Sequence, residues 1–417
     1  VAPVQPAPAV PEYCSVDDQR LALQDFMRQH YFWYDQLGTP NAAATSLDEY
    51  FQSLLAKPVD RYSYTQSAAS FNQVFNEGRR TGYGYTLVLV EGVQPALRIR
   101  QIELLSPAAQ AGLQRGDTVL SIDGYTAPQI LAGKLPRVST EGVSRKFVLR
   151  SPAGVQREVT VVSADFALSP VASTATLDAV RNGANVKVGY IAYHQFVSYS
   201  LPTLTDAFTR FSQEGVGEVI LDLRYNGGGS VATARDLGSM LGGTRTAGNV
   251  FASLRFNDKQ SARNMRYAFG PAQAPLASAP EGLPRVYVIA SRETASASEL
   301  LINGLRPFMD VVLVGETTFG KPYGFVPQYY CDIYYNAVQF DSLNSAGVGG
   351  YTAGFAPNCD VADDLDRQLG DPQEGRIKAA LGYVATGSCP AAGQAMRSAA
   401  GPVRVLGETT PKQMFAD

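Results

Sequence analysis

Histidine is nearly missing from this chain, with two in 417 residues, and tryptophan occurs once. Cysteine is sparse at four, and no two form a Cys-x-x-Cys pair, which with so few histidines argues against a zinc site and leaves no metal or cofactor to expect. Neither sign of charge dominates: 35 Lys plus Arg stand against 38 Asp plus Glu, a net charge of -3, with no block of like charges. That balance argues against nucleic acid as a partner. Long apolar runs are absent too. The best candidates, such as 311–314, are strand-length, so nothing reads as a membrane span.

What is present is length enough for two or three domains. The opening Val-Ala-Pro-Val-Gln-Pro-Ala-Pro-Ala-Val reads either as the Pro/Ala-rich stalk left by a removed signal segment, which would put the protein near a membrane, or as an arbitrary cut. Cys14, Cys331, Cys359 and Cys389 make an even, widely spaced set that favours two disulfides and an oxidising compartment, periplasmic or extracellular. Three connectivities are open. Cys331 with Cys359 is favoured because both lie in one β-rich segment, which leaves Cys14 for Cys389.

Residues 15–78 are helical in pattern, with Leu21, Leu23 and Phe26 and later Tyr50, Phe51, Leu54 and Leu55 near the 3.6 spacing, and Ser46 or Asp48 as a cap. Tyr31-Phe32-Trp33-Tyr34 reads as packing surface at a helix end. Over 79–165 short β-runs with glycine punctuation take over: 85–90, 97–104, 118–122 and 146–149. Beyond about 186, strands at 188–193, 219–223, 286–290 and 311–314 alternate with helices around Leu204/Phe208/Phe211 and from Ser298. This pattern predicts an α/β domain with a largely parallel sheet.

Three corners follow apolar strands. Val219-Ile-Leu-Asp-Leu-Arg-Tyr-Asn-Gly-Gly-Gly229 lets backbone amides approach an anion closely. Thr294-Ala-Ser-Ala-Ser-Glu299 puts a serine at the positive end of a helix. Gly315-Glu-Thr-Thr-Phe-Gly-Lys321 sets a lysine among Phe319, Tyr323 and Phe325. An ordinary lysine is protonated at neutral pH and is no base; apolar surroundings disfavour the ammonium. His30 lies outside these segments and His194 closes a strand, so a histidine triad is not the reading. An α/β-hydrolase esterase needs Gly-x-Ser-x-Gly, which 294–298 does not supply.

These three motifs, in this order and behind 106–124 (Ser-Pro-Ala-Ala-Gln-Ala-Gly-Leu-Gln-Arg-Gly-Asp-Thr-Val-Leu-Ser-Ile-Asp-Gly), which resembles a PDZ signature, resemble the carboxyl-terminal processing peptidases, or tail-specific proteases. Phe355-Ala-Pro-Asn-Cys-Asp-Val361 is similar to the family's Pro-Asp strand. The resemblance covers roughly 79–364 and leaves the N-terminal helices and the last fifty residues outside.

It implies a crotonase-like or ClpP-like α/β core at 166–365, an inserted PDZ-like domain at 79–165, a helical region at 15–78 and an extension at 366–417. It makes Ser296 the nucleophile and Lys321 its base, with the amides of Ala297 and of Gly228, chosen from the 227–229 turn, as oxyanion donors. Ser298 competes with Ser296. The two lie about 200° apart on a helix and cannot both face one site. Gly82-Tyr83-Gly84-Tyr85 resembles a loop that binds a terminal carboxylate, with Arg79 and Arg80 upstream. Protein or peptide substrates held by their C-terminal tails are the partners implied, and a homo-oligomer is left open. Where the family has a glutamine one turn after the lysine, this chain has Phe325; Gln328 and Tyr323 are candidates to orient Lys321. A peptide-binding scaffold without turnover is the rival on the same fold.

Overall fold

A computed structural model describes residues 14–91, 95–271, 276, 278–390, 403–406 and 413–416. The stalk expected before Cys14 lies outside them.

The centre is a six-stranded sheet in the order Val171–Arg181, Ala184–Tyr193, Glu218–Asp222, Arg285–Ala290, Asp310–Gly315, Cys359–Asp360. The first pair is antiparallel and the rest are parallel. Strict alternation makes it two-faced. Ile191, Val219, Leu221, Val286, Val288 and Leu313 enter one core, with helices Leu201–Gln213, Val231–Thr246 and Ala297–Leu305. Tyr190, Ile220, Tyr287, Ile289, Val312 and Val314 enter the other, under helix Gly375–Thr386. A sheet buried on both faces reads as continuous apolar runs, which is why these strands were legible.

The 79–165 stretch forms a separate β-rich unit. Strands Tyr85–Val90, Ala96–Ile102, Thr118–Ile122, Ser144–Arg150 and Gln156–Val162 are consecutive neighbours around a core of Leu87, Leu97, Ile99, Val119, Ile122, Phe147, Leu149 and Val161. Its two ends meet, because Arg79–Gly82 pairs antiparallel with Ala164–Ala167. Asp123 and Gly124 make the tight turn after Thr118–Ile122, both at positive φ.

Helices Val16–His30 and Leu47–Leu54 are capped by Ser15 and Ser46. Asp48, the alternative cap, instead accepts from Thr65 Oγ1. The region also contains a strand that the helical pattern does not announce: Tyr64–Ser67 pairs with Ile333–Asn336, far along the chain. Tyr31 and Trp33 are buried in the resulting core, as packing surface should be.

This long-range pairing corrects the cysteine assignment. The disulfides are Cys14–Cys331 and Cys359–Cys389, with Cα separations of 5.7 and 5.5 Å. Cys331 and Cys359 are positioned by different sheets. Cys331 sits in the turn between Gln328–Tyr330 and Ile333–Asn336, where the N-terminal region docks; Cys359 starts the edge strand of the central sheet, beneath the helix that Cys389 follows.

Candidate active site

Glu218–Asp222, Arg285–Ala290 and Asp310–Gly315 are adjacent parallel strands, so the segments leaving their C-terminal ends converge, although the first strand is far from the other two along the chain. The glycine corner, the serine corner and the lysine loop therefore share one edge of the sheet. They are stitched together. Thr294 Oγ1 donates to Leu223 O at 2.7 Å, Ala295 N–H to Asn226 O at 3.1 Å, and Phe319 N–H to Thr294 O at 3.0 Å.

Ser296 is fully buried at the N-cap of helix Ala297–Leu305, with φ 63, ψ -115. A positive φ is costly for serine and persists only where surroundings impose it. Its Oγ has no hydrogen-bond partner among the described residues. Ser298 is accounted for otherwise: its Oγ donates to Asn226 O at 3.0 Å and pins the helix to the glycine corner. The Ala297 amide is the first of the helix and has no intrahelical acceptor.

Lys321 is fully buried, with Nζ 5.0 Å from the centroid of the Phe325 ring and 5.9 Å from that of Tyr64. Of the two candidates for orienting it, Tyr323 meets Trp33 edge-on at 4.8 Å between ring centroids and Gln328 pairs with Tyr335. The N-terminal region grips the loop itself. Tyr62 OH donates to Gly320 O at 3.0 Å, and Arg61 donates to Phe319 O at 3.2 Å and Thr352 O at 3.0 Å.

Glu299, unremarked in the sequence reading, joins the two corners. Its Oε2 accepts Ser296 N–H at 2.9 Å and Lys321 N–H at 2.8 Å; its Oε1 accepts Thr318 Oγ1–H and Gly320 N–H, each at 2.6 Å. Burial raises its pKa while these four donors pull the other way. Ser296-Ala-Ser-Glu299 has the Ser-x-x-Glu spacing of a capping box, and that was the available signal.

In the glycine corner, Gly228 N–H donates to Asn226 Oδ1 at 2.9 Å. The oxyanion role given to Gly228 thus needs that bond shared, or one of its glycine neighbours in the turn in its place. A side chain at Gly229 is excluded: φ is +140 and a Cβ would lie 2.0 Å from Phe196 O. Behind the corner, buried Arg224 is bound by Asp222, Asp363 and Glu374. Burial pushes the Asp363 carboxyl up, but the guanidinium groups of Arg115, Arg376 and Arg224 hold it well below the usual range. Arg115 comes from the β-rich unit and also donates to Tyr225 OH at 2.6 Å.

Gly82 to Tyr85 enters that unit's edge strand. Tyr83 is buried and donates through its hydroxyl to Val143 O at 3.1 Å, and Tyr83 O and Gly84 O accept from Ala108 N–H and Glu103 N–H, each at 2.9 Å. Arg79 is paired with Asp165 at 2.5 Å. His30 stacks on Phe26, and His194 Nδ1 lies 2.9 Å from Gln101 Nε2. Among the described residues no group of three His, Cys, Asp or Glu could hold a metal ion, and no helix is long and apolar enough to cross a membrane.

Residues 187–328 match the pattern of peptidase family S41, and residues 19–64 match the peptidase S41 N-terminal domain, so the similarity reaches the N-terminal helices after all. A carboxyl-terminal-processing protease of Synechocystis is 31% identical over 263 residues, covering 60% of this chain and 55% of the relative. Carboxyl-terminal-processing peptidase 1 of Arabidopsis thaliana chloroplasts is 27% identical over 296 residues, covering 69% and 56%. The chain spans about half the length of these curated relatives. A crystal structure described as an S41 protease from Bacteroides fragilis superposes with a TM-score of 0.73 at 26% identity, covering 90% of this chain and 99% of that one. A photosystem II D1 C-terminal processing protease shares the fold at a TM-score of 0.52 and 20% identity, over 88% and 99%.

Proposed function

Because this chain belongs to peptidase family S41, we propose that it is a serine endopeptidase working through a Ser296/Lys321 dyad on protein or peptide substrates near their C-terminal tails. The observation that carries the reading is the single oxygen, Glu299 Oε2, that receives the backbone amides of both residues. In the reaction, neutral Lys321 takes the Ser296 hydroxyl proton as Oγ attacks the scissile carbonyl. The Ala297 amide and an amide of the glycine corner meet the oxyanion, each such donor contributing about 3 kcal/mol. The proton passes to the leaving amine, and water then hydrolyses the acyl-enzyme by the reverse route.

The 79–165 unit serves as the PDZ-like reader of chain ends, 15–78 braces the lysine loop, 166–365 is the protease core and 366–417 extends it. Both disulfides favour export to an oxidising compartment, periplasmic or extracellular.

The test is a serine-directed phosphonate followed by peptide mass spectrometry, together with digestion of a lysate. Label should fall on Ser296, and Ser296→Ala and Lys321→Ala should each lose at least about a thousandfold in rate while keeping their melting transitions. Wild-type rates in either variant would sink the dyad.

A further inference from the structure

The family resemblance gives the sequence past residue 400 no role, yet two pieces of it pair with strands beside the Gly82 to Tyr85 turn and in the glycine corner. Val403–Leu406 pairs antiparallel with Tyr85–Val90, from Val403 opposite Val90 to Leu406 opposite Leu87. That strand begins at Tyr85, the last residue of the Gly82 to Tyr85 turn, and the added piece takes the edge position of its sheet. Gln413–Phe415 pairs parallel with Gly228–Ser230. On its other side Phe415 bridges to Phe325, and Ala416 N–H donates to Phe325 O at 3.3 Å. Ala416 is buried in the main core, which also takes in Ala297, and the Phe415 ring meets that of Phe75 at 5.5 Å.

Residues 413–416 thus run between the glycine corner and the backbone four residues past Lys321. An extended peptide entering there would bond to main-chain groups, and main-chain pairing does not depend on the guest's side chains. One edge cannot hold two strands.

We propose that residues 403–406 and 413–416 are intramolecular occupants of the substrate path, the first at the β-rich edge and the second at the catalytic corner, and that a peptide substrate must displace them. This rests on reading those two edges as the peptide-binding surfaces. A tethered competitor acts at an effective concentration in the millimolar range, so displacement should weaken apparent substrate binding roughly tenfold for a segment of 0.1 mM intrinsic affinity.

The experiment compares the full chain with an Arg404→Pro/Met414→Pro variant, since proline removes the amide donor and disrupts pairing at each strand. In a Ser296→Ala background, where turnover plays no part, a fluorescein-labelled peptide of the 403–417 sequence should bind the double-proline chain at least about tenfold more tightly than its parent by anisotropy. In the Ser296 enzyme the same substitutions should lower KM for a reporter peptide by a similar factor and leave kcat unchanged. A chain lacking 403–417 should show the low KM and regain the high one when the free peptide is added, which a misfolded chain could not do. Equal peptide affinity for the two Ser296→Ala chains, or free peptide that does not inhibit, overturns the proposal. Loss of the segment by self-cleavage in the Ser296 enzyme would overturn it too, making the segment a substrate. If neither enzyme cleaves anything yet the binding contrast persists, the dyad falls and the occupant stands.

Discussion

Glu299 and Lys321, 22 residues apart, are joined by a 2.8 Å hydrogen bond from the lysine's backbone amide to a carboxylate oxygen that also holds the amide of Ser296. The relative position of the two proposed catalytic residues therefore depends on a residue that is itself neither nucleophile nor base.

Glu299→Gln should expose that dependence. The amide keeps the size but replaces one acceptor oxygen with a donor, which must face either the Ser296 and Lys321 amides or Thr318 and Gly320. Removing acceptors from buried donors costs about 2 to 4 kcal/mol. A misplacement of the dyad should lower kcat about a hundredfold with KM little changed. A denaturant midpoint and a kcat both equal to wild type would mean the bridge is idle.

His194 supplies a pH dependence of stability. Burial foremost, with Arg100, Arg115 and Arg224 adding and Asp222 opposing, lowers its pKa from 6.5 to about 4. Between those values the unfolded chain binds a proton that the folded chain does not, so stability rises with pH across that window and is lost on acidification. Urea midpoints should report a loss on the order of 2 kcal/mol between pH 7 and about 5, and His194→Gln should flatten the slope. An unchanged slope in the variant would assign the acid sensitivity to other groups.

The disulfides predict a peptide map. Non-reducing digestion of protein folded under oxidising conditions should yield Cys14 linked to Cys331 and Cys359 linked to Cys389, with no titratable thiol. Cys359→Ser should free Cys389 alone. Recovery of a Cys331–Cys359 peptide would contradict the fold of the N-terminal region.

Substrate choice should be separable from chemistry. If Gly82 to Tyr85 holds a terminal carboxylate, amidating a substrate's C-terminus should raise KM about ten- to a hundredfold before kcat falls, the range of charge-assisted hydrogen bonds. Equal KM values for acid and amide forms would mean that the unit reads something other than a chain end.

The sequence alone determined the parallel core and its three corners, because a strand buried on both faces writes itself as an apolar run and the corners as glycine, serine and lysine clusters. It determined the turn at Asp123-Gly124 and narrowed the cap of the second helix to Ser46 or Asp48 for the same reason: their causes lie within a few residues. Only the tertiary structure decided which cysteines meet, since Tyr64–Ser67 finds Ile333–Asn336 across the chain and carries Cys14 to Cys331. It also decided that Glu299 faces the Lys321 amide as well as its own helix cap, and that residues 403–406 and 413–415 pair with Tyr85–Val90 and Gly228–Ser230. The strand pairings, and the amides that Glu299 receives, are backbone groups common to nearly all residues, so no residue type announces them.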